Sequence, residues 1–227
     1  MKQLNFLETK KYFTGKRVAV VGSGPGVLDN KPGYIDDHDV VVRVSNYKTE
    51  GLENTTGQRT DVLYSFFGSS AAKKRPKDYI HDGVKLCMCK CPDAELDYKS
   101  NWHMRRNKKH GTDYRMIYRR RAGFWFCPVY VPTLGRFMEY FRLLGNHIPT
   151  TGFSCLLDVF DFECQEIYVT GFDFFQSGIH NVTDRWRPKN PDDPIRHMPD
   201  LELKYFTEKR PRNVLMDARL KKIVKRG

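Results

Sequence analysis

Short runs of β-branched and aromatic residues, bounded by glycine or polar turn residues, recur along this chain and set its architecture. RVAVVG (17–22), DVVVRVS (39–45) and TDVLYSFF (60–67) are apolar with little alternation, as expected of parallel strands buried on both faces. VKLCMCK (84–90) alternates and predicts a half-buried fourth strand. EIYVTGFDFF (166–175) predicts the last, with its glycine and aspartate at the carboxyl end, where open α/β sheets bind ligands. Elsewhere the period lengthens. Leu134, Phe137, Met138, Phe141 and Leu144 recur at spacings of three and four, predicting an amphipathic helix closed by Gly145. In PTTGFSCLLDVFDF, Thr150 or Thr151 caps a second helix that carries Leu156, Leu157 and Phe160. DLELKYFTEKR (200–210) and VLMDARLKKIVKR (214–226) both read as helical. Strands alternating with helices predict an α/β fold, a single doubly wound, Rossmann-like domain over 1–227 with a mostly parallel sheet.

Two stretches break the pattern. Residues 101–121 hold the densest basic cluster, MRRNKKH and YRRR, and predict an exposed loop or lid. Residues 181–199 are rich in proline and charge and predict a second loop or lid near the active site.

The chain has 227 residues, 40% of them hydrophobic, which suffices for one core that excludes water from a site. There is no run of about 18 apolar residues, and MKQLNFLETKKYF lacks the apolar centre of a secretion leader. With scattered cysteines this predicts reduced thiols and a cytoplasmic protein. Cys87, Cys89 and Cys91 do not have the spacing of a structural zinc site.

A formal charge of +12 predicts attraction to phosphates, anionic glycans, nucleic acid or acidic lipid. The basic tail Lys221 to Arg226 adds an expected peripheral contact with an anionic membrane, at its inner face. Tyr114 and Tyr118 within the Arg105 to Arg121 cluster allow RNA binding by charge and stacking, the reading from a different class.

VVGSGPG, directly after a strand, offers glycines through which backbone amides approach a phosphate. A dinucleotide site is disfavoured: the third glycine comes too soon, Pro25 intervenes, and the next strand ends in Arg43, Val44, Ser45 and Asn46 rather than an acidic residue. Asp36, Asp37, His38 and Asp39 look like a metal-binding D-x-D stretch. They precede a strand, however, and so fall at the wrong sheet edge, which predicts a surface turn and no metal.

Taken in order, these segments resemble a family. VAVVGSGPGVL, DHDVVVRVSNYKTEG and TGQRTDVLYS resemble the long sialyl motif of glycosyltransferase family 29, and GSGP is also similar to family 42. PTTGFSCLLDVFDFECQEIYVTGFDFF resembles the short sialyl motif, and its ending TGFDFFQSG looks more like family 42. His197 and Glu202, five residues apart, match the very short motif.

The resemblance implies a GT-A-variant, metal-independent, inverting sialyltransferase with a CMP-sugar donor, a glycan or glycolipid acceptor, and no cofactor. By residue it implies that Gly22, Ser23 and Gly24 contact phosphate and ribose with Ser45 or Asn46 beside them. Thr150, Thr151 and Gly152 would hold the cytidine-ribose side, and Gly171 and Asp173 would lie at the matching strand end. His197 would be the general base, since an imidazole near its ordinary pKa accepts a proton at neutral pH. His180 would assist the departing phosphate. The family's asparagines in the first loop and after the second strand are Ser23 and Ser45 here. Where family 42 places tyrosines at the phosphate, this chain has Phe175 and Asn181. The paired cysteines of the animal enzymes are reduced to Cys164, opposite Val18, which excludes that disulfide. A CMP-Kdo-type donor on the same fold is the alternative, and nucleic acid is the disfavoured partner.

Overall fold

In a computed structural model the buried apolar runs form the centre of one parallel sheet. Residues 2–45, 47–67, 82–92, 127–177 and 197–226 are described, with backbone alone at 95–96, 112–113, 179–181 and 184–185. The strands are β1 (Gln3–Leu4), β2 (Arg17–Val21), β3 (Val40–Val44), β4 (Val62–Ser65), β5 (Leu86–Cys89), β6 (Glu95–Leu96), β7 (Thr112–Asp113), β8 (Val129–Tyr130), β9 (Glu166–Thr170), β10 (Ile179–Asn181), β11 (Asp184–Arg185) and β12 (Val214–Met216). The helices are α1 (Phe6–Phe13), α2 (Glu53–Thr56), α3 (Leu134–Leu143), α4 (Thr151–Phe160), α5 (Pro199–Lys209) and α6 (Ala218–Val224).

The eight-stranded sheet runs β1-β8-β5-β4-β3-β2-β9-β12, every pair parallel. From β2 the chain winds one way through β3, β4 and β5, then crosses back to lay β9 on the opposite side of β2. The loops after β2 and β9 therefore leave neighbouring strands in different directions, which opens a crevice at their carboxyl ends. Val21 pairs with Arg43 on one side and Thr170 on the other, so three strand ends lie level there.

Alternation along the strands sorts the core. Val18 and Val20, Val42 and Val44, Tyr64, Leu86 and Met88 pack with Phe153, Leu156 and Leu157 of α4 and Phe206 of α5. Leu63, Cys87 and Cys89 face the other way, against Phe137 and Phe141 of α3. Cys87, Cys89 and Cys91 are no more than 2% exposed, so the strand predicted as half-buried is covered on both sides, the amphipathic α3 supplying the second cover.

Two other expectations need correction. VLMDARLKKIVKR is not one helix. Its VLM pairs as β12 alongside β9, and Asp217 then caps α6 by accepting the Leu220 amide at 2.7 Å. The strand expected over 166–175 stops at Thr170, because Gly171, Phe174 and Phe175 take positive φ values of 71°, 49° and 60° and turn the chain out of the sheet. The polar lead-in is structured: Asn5 and Glu8 form a reciprocal capping box that starts α1, and β1 adds to the sheet edge. Asp36 to Asp39 form a turn at the amino edge, where Asp36 accepts the Gln58 and Arg59 amides and Asp39 the Arg17 amide. Most of 101–121 and 181–199 lies outside the described residues. No helix among the described residues is long and apolar enough to cross a membrane.

Helix α4 is fixed to the sheet and to α3 through a buried acid. Asp158 accepts from the Tyr64 hydroxyl at 2.8 Å, the Tyr140 hydroxyl at 2.7 Å and Arg136 Nε at 2.8 Å. Burial raises its carboxyl pKa, against the pull of Arg136 and the two tyrosines. Removing it leaves two interior hydroxyls without their acceptor and the Arg136 guanidinium with Asp161 alone, at 2.8 Å. Asp158→Ala is therefore expected to lower the unfolding free energy by about 3–5 kcal/mol, and Tyr64→Phe by only about 1 kcal/mol, in urea titrations.

Candidate active site

The crevice at the switch point is built by three segments whose backbones interlock. The Gly22 amide donates to Thr170 O and the Gly24 amide to Gly171 O, both at 2.8 Å, so the loop after β2 is bonded to the turn after β9. The approach tolerates no side chain. A Cβ on Gly171, whose φ is 71°, would stand 2.7 Å from the Gly22 carbonyl oxygen, and one on Gly22 would strike the Gly171 carbonyl. Asp217 ties both loops down: its Oδ2 accepts the Gly171 amide at 3.0 Å and lies where a Cβ on Gly26 would stand 2.7 Å away.

The third segment is the start of α4. Thr150 caps it, its Oγ1 accepting the Phe153 amide at 3.1 Å, and both its donors go to one buried carboxylate. The Thr150 amide reaches Glu202 Oε1 at 2.6 Å and its hydroxyl reaches Oε2 at 2.8 Å. The very short motif is thus joined to the short motif by a two-point clamp from α5 to the first residue of α4. Glu202 is 1% exposed, and its pKa is raised to about 7 by burial, which outweighs the Thr150 bonds and the nearby Lys90 charge.

One cleft, with a cavity volume of about 160 Å³, is lined by Gly22, Ser23, Gly24, Ser45, Thr150, Thr151, Gly152, Gly171, Asp173 and His197, together with Val44, Glu202 and Phe172 to Phe175. The structure therefore gathers the residues marked by the sequence around one cleft. Asn46 lies outside the described residues. His180 is placed only by its backbone, in the β10–β11 hairpin.

Several of the gathered residues also have tasks within the protein itself. The amides of Gly22 and Gly24 are spent on carbonyls, so these glycines serve loop packing and do not lend their N–H groups to a phosphate. Gly152 makes room for Phe172, whose ring carbon would lie 2.8 Å from a Cβ there. Asp173 accepts the Phe175 amide at 3.0 Å and bonds to Ser177, which holds the turn after β9.

What the cleft offers an anion is the α4 N-terminus. The amides of Thr151 and Gly152 have no acceptor among the described residues, and the helix dipole adds positive potential there. Ser45 faces them from the end of β3 in a left-handed conformation, φ 57°, the backbone state in which asparagine is enriched among side-chain-bearing residues. His197 completes the wall. Its Nδ1 lies 2.9 Å from the Ile148 carbonyl, which can only accept, so a neutral ring carries its proton on Nδ1 and its lone pair on Nε2. Among the described residues no three His, Cys, Asp or Glu side chains are placed to hold a metal ion.

One structural contributor, Asp217, escapes the sequence reading. Asp217 carries a legible signal, an N-cap residue directly before a helical run, hidden by the three-residue strand in front of it.

The clamp gives a pH dependence. The folded pKa of Glu202, about 7, exceeds its ordinary 4.5, so the folded state binds the proton more tightly. The resulting stability is present below about pH 4.5 and lost as pH rises through about 7, an amount of about 3 kcal/mol. Chemical denaturation between pH 4.5 and 7.5 is expected to show this decline in the native chain and a flatter profile in Glu202→Gln.

Comparison with known proteins agrees with this geometry. A model of glycosyltransferase family 29 (sialyltransferase) matches residues 2–197. A human CMP-N-acetylneuraminate-β-1,4-galactoside α-2,3-sialyltransferase is 35% identical over 71 residues, 30% of this chain and 18% of that protein. A β-1,6-galactosyltransferase of Arabidopsis thaliana is 35% identical over 88 residues, 35% of this chain and 22% of that protein. The match thus spans under a quarter of the length of either relative. Among solved structures, a mammalian sialyltransferase superposes with a TM-score of 0.54 at 18% identity over 93% of this chain and 71% of that one. Campylobacter jejuni CstII, in complex with the substrate analogue CMP-3FNeuAc, gives 0.52 at 16% identity over 89% and 81%. With the family model covering most of the sequence, the chain belongs to glycosyltransferase family 29, the sialyltransferase family.

Proposed function

We propose that this cleft binds a CMP-activated sialic acid and transfers the sugar to a hydroxyl of a glycan or glycolipid by direct, inverting displacement, with His197 as general base and no metal. The observation that carries the reading is a helix N-terminus with two open amides and an imidazole with its lone pair on Nε2, both at the switch-point cleft of a family 29 chain. The amides suit the single phosphate of a departing CMP, and Nε2 suits the proton of an incoming hydroxyl. The anomeric carbon of such a donor bears a carboxylate, and its transition state is expected to resemble an oxocarbenium ion. Stabilising the leaving phosphate and removing one proton are then the protein's main tasks. The names of the human relative and of the CstII complex, which contain CMP-linked sugar acids, support the donor.

His180 is proposed as a second donor to the phosphate, through its resemblance alone. The cysteine usage supports a reducing, cytoplasmic setting, and the basic α6 supports contact with an anionic membrane surface at its inner face. A CMP-Kdo-type donor fits the same nucleotide cradle. The galactosyltransferase among the relatives favours a second reading, in which the family fold serves a neutral sugar.

Calorimetric titration with CMP, using AMP and NAD as controls, tests the nucleotide. Selective CMP binding is expected, and salt-sensitive RNA binding without CMP binding would overturn the reading. His197→Ala is expected to lose transfer by about 10²–10⁴-fold while its CMP affinity stays within about 3-fold. Activity is expected to persist in EDTA, and a loss restored by a divalent cation would refute the metal-free displacement.

A further inference from the structure

Among the described residues the buried Asp, Glu, Lys and Arg side chains are matched to hydrogen-bonding partners, with one exception. Asp158 has two tyrosines and an arginine, and Glu202 has both donors of Thr150. Asp61 accepts from Lys85, Arg59 and the Val41 amide. Arg43 is 1% exposed and donates to the Arg59 and Thr56 carbonyls and the Thr60 hydroxyl. Lys90 is 6% exposed, and among the described residues its ammonium has neither a hydrogen bond nor an ion pair. Its nearest feature is the ring of Phe66, with Nζ 6.0 Å from the centroid, at the outer limit of a cation–π contact.

The place of this lysine is as informative as its isolation. It is the first residue beyond the carboxyl end of β5, held by its amide to Ser65 O at 3.1 Å. Leu86 and Met88 pack on the face of the sheet that α4 and α5 cover, and Cys87, Cys89 and Cys91 on the other. Alternation therefore sends the Lys90 side chain to the face that carries Thr150 and Glu202. Glu202 is one of the groups whose charge supports its proton, against a burial that lowers its pKa. Val44, which lines the cleft, ends β3, two strands and so about 10 Å away along the same edge.

An ammonium withdrawn from water without a counter-ion costs several kcal/mol, and a purely structural position would be filled more stably by an apolar residue. Glu202 does not serve as the counter-ion: no hydrogen bond or ion pair joins it to Lys90, and burial keeps it partly protonated near neutral pH. The missing partner is an anion that arrives from outside. The phosphate has its own place at the amides of α4, which leaves the sugar end of the substrate.

We propose that Lys90 is the cation that receives a substrate carboxylate at the sugar end of the cleft. The inference rests on the reading of the cleft as a CMP-sugar site. The carboxylate belongs either to the transferred sugar acid or to an acidic acceptor glycan, and both are recognised by the same chemistry.

The test compares native protein, Lys90→Met and Lys90→Arg, titrated with CMP, with CMP-sialic acid and with the carboxyl methyl ester of that donor. CMP is expected to bind all three alike, within about 3-fold. CMP-sialic acid is expected to bind Lys90→Met about 10- to 100-fold more weakly, with most of the loss restored in Lys90→Arg. The ester is expected to bind the native protein as weakly as the acid binds Lys90→Met. If donor binding is unchanged but the KM for a carboxylate-bearing acceptor rises in Lys90→Met, the carboxylate is the acceptor's and the assignment of Lys90 stands.

If neither donor affinity nor acceptor KM responds to the charge at this position, the proposal is overturned. Failure of the native protein to bind CMP would remove the cleft reading first, a distinguishable result, and this proposal with it. Thermal unfolding checks the fold: Lys90→Met is expected to be at least as stable as the native chain. Should it not fold, Lys90→Gln takes its place in the same titrations and acceptor KM measurement.

Discussion

The site depends on the backbone contact between the loop after β2 and the turn after β9. Two adjacent parallel strands whose connections leave in different directions leave their loops free to splay. Here glycine faces glycine, amide meets carbonyl on both sides, and Asp217 binds the Gly171 amide while capping α6. A carboxylate from a strand–helix junction more than forty residues later in the chain thus sets the spacing of the two loops that floor the cleft. The arrangement is stiff because it is made of main chain, which has no rotamers to lose. It also explains why glycines in this loop give a weak nucleotide signal. The same residue type is demanded by loop packing and by phosphate approach, and here packing is what it serves.

A second set of constraints runs through buried polar groups. Glu202 and Asp158 hold the two ends of α4, one at its first-turn cap and one in its last turns, so the helix is gripped by an acid from α5 and by an acid of its own. Such groups contribute little net stability when their partners are present, and cost much when a partner is lost. Their effect is positional. The amides of Thr151 and Gly152 face the cleft because Thr150 cannot rotate away from Glu202. The link between the His197 wall and the α4 wall is covalent along residues 197–202 and hydrogen-bonded at its far end, so one short segment sets the position of both His197 and the α4 N-terminus.

Much of this was legible in the sequence, for reasons that differ by residue. The strands β2, β3 and β4 were plain because a run of valines buried on both faces has few other uses, and a threonine cap, at Thr150 or Thr151, was plain because a threonine before an apolar helix is a cap. β8 and β12 were not. Two or three residues carry no period, and their strand character comes from the neighbour that pairs with them. The second cover of β5 was invisible for the same reason, since alternating Cys and Met look half-buried until α3 is known to lie across them. Resemblance named the cleft residues but not their tasks. It could not show that Gly152 yields to Phe172 or that Asp173 spends its carboxylate on its own turn, because motif position does not report hydrogen-bond commitment.

That distinction bears on how far family membership carries function. In this chain the interlocked loops, the capped helix and the sheet edge are conditions for having a cleft at all. The sugar is distinguished by whatever lies beyond the shared cradle, and a neutral hexose and an anionic sugar acid differ there by one full charge. An unpaired buried ammonium is costly to keep for a neutral substrate, because nothing in the bound complex would neutralise it. For an anionic substrate the same residue is unfavourable only while the site is empty, and it discriminates against neutral sugars, whose binding would leave the charge bare. On the proposed reading of the cleft as a CMP-sugar site, the isolation of Lys90, 6% exposed among otherwise paired neighbours, weighs toward a carboxylate-bearing substrate over a neutral one.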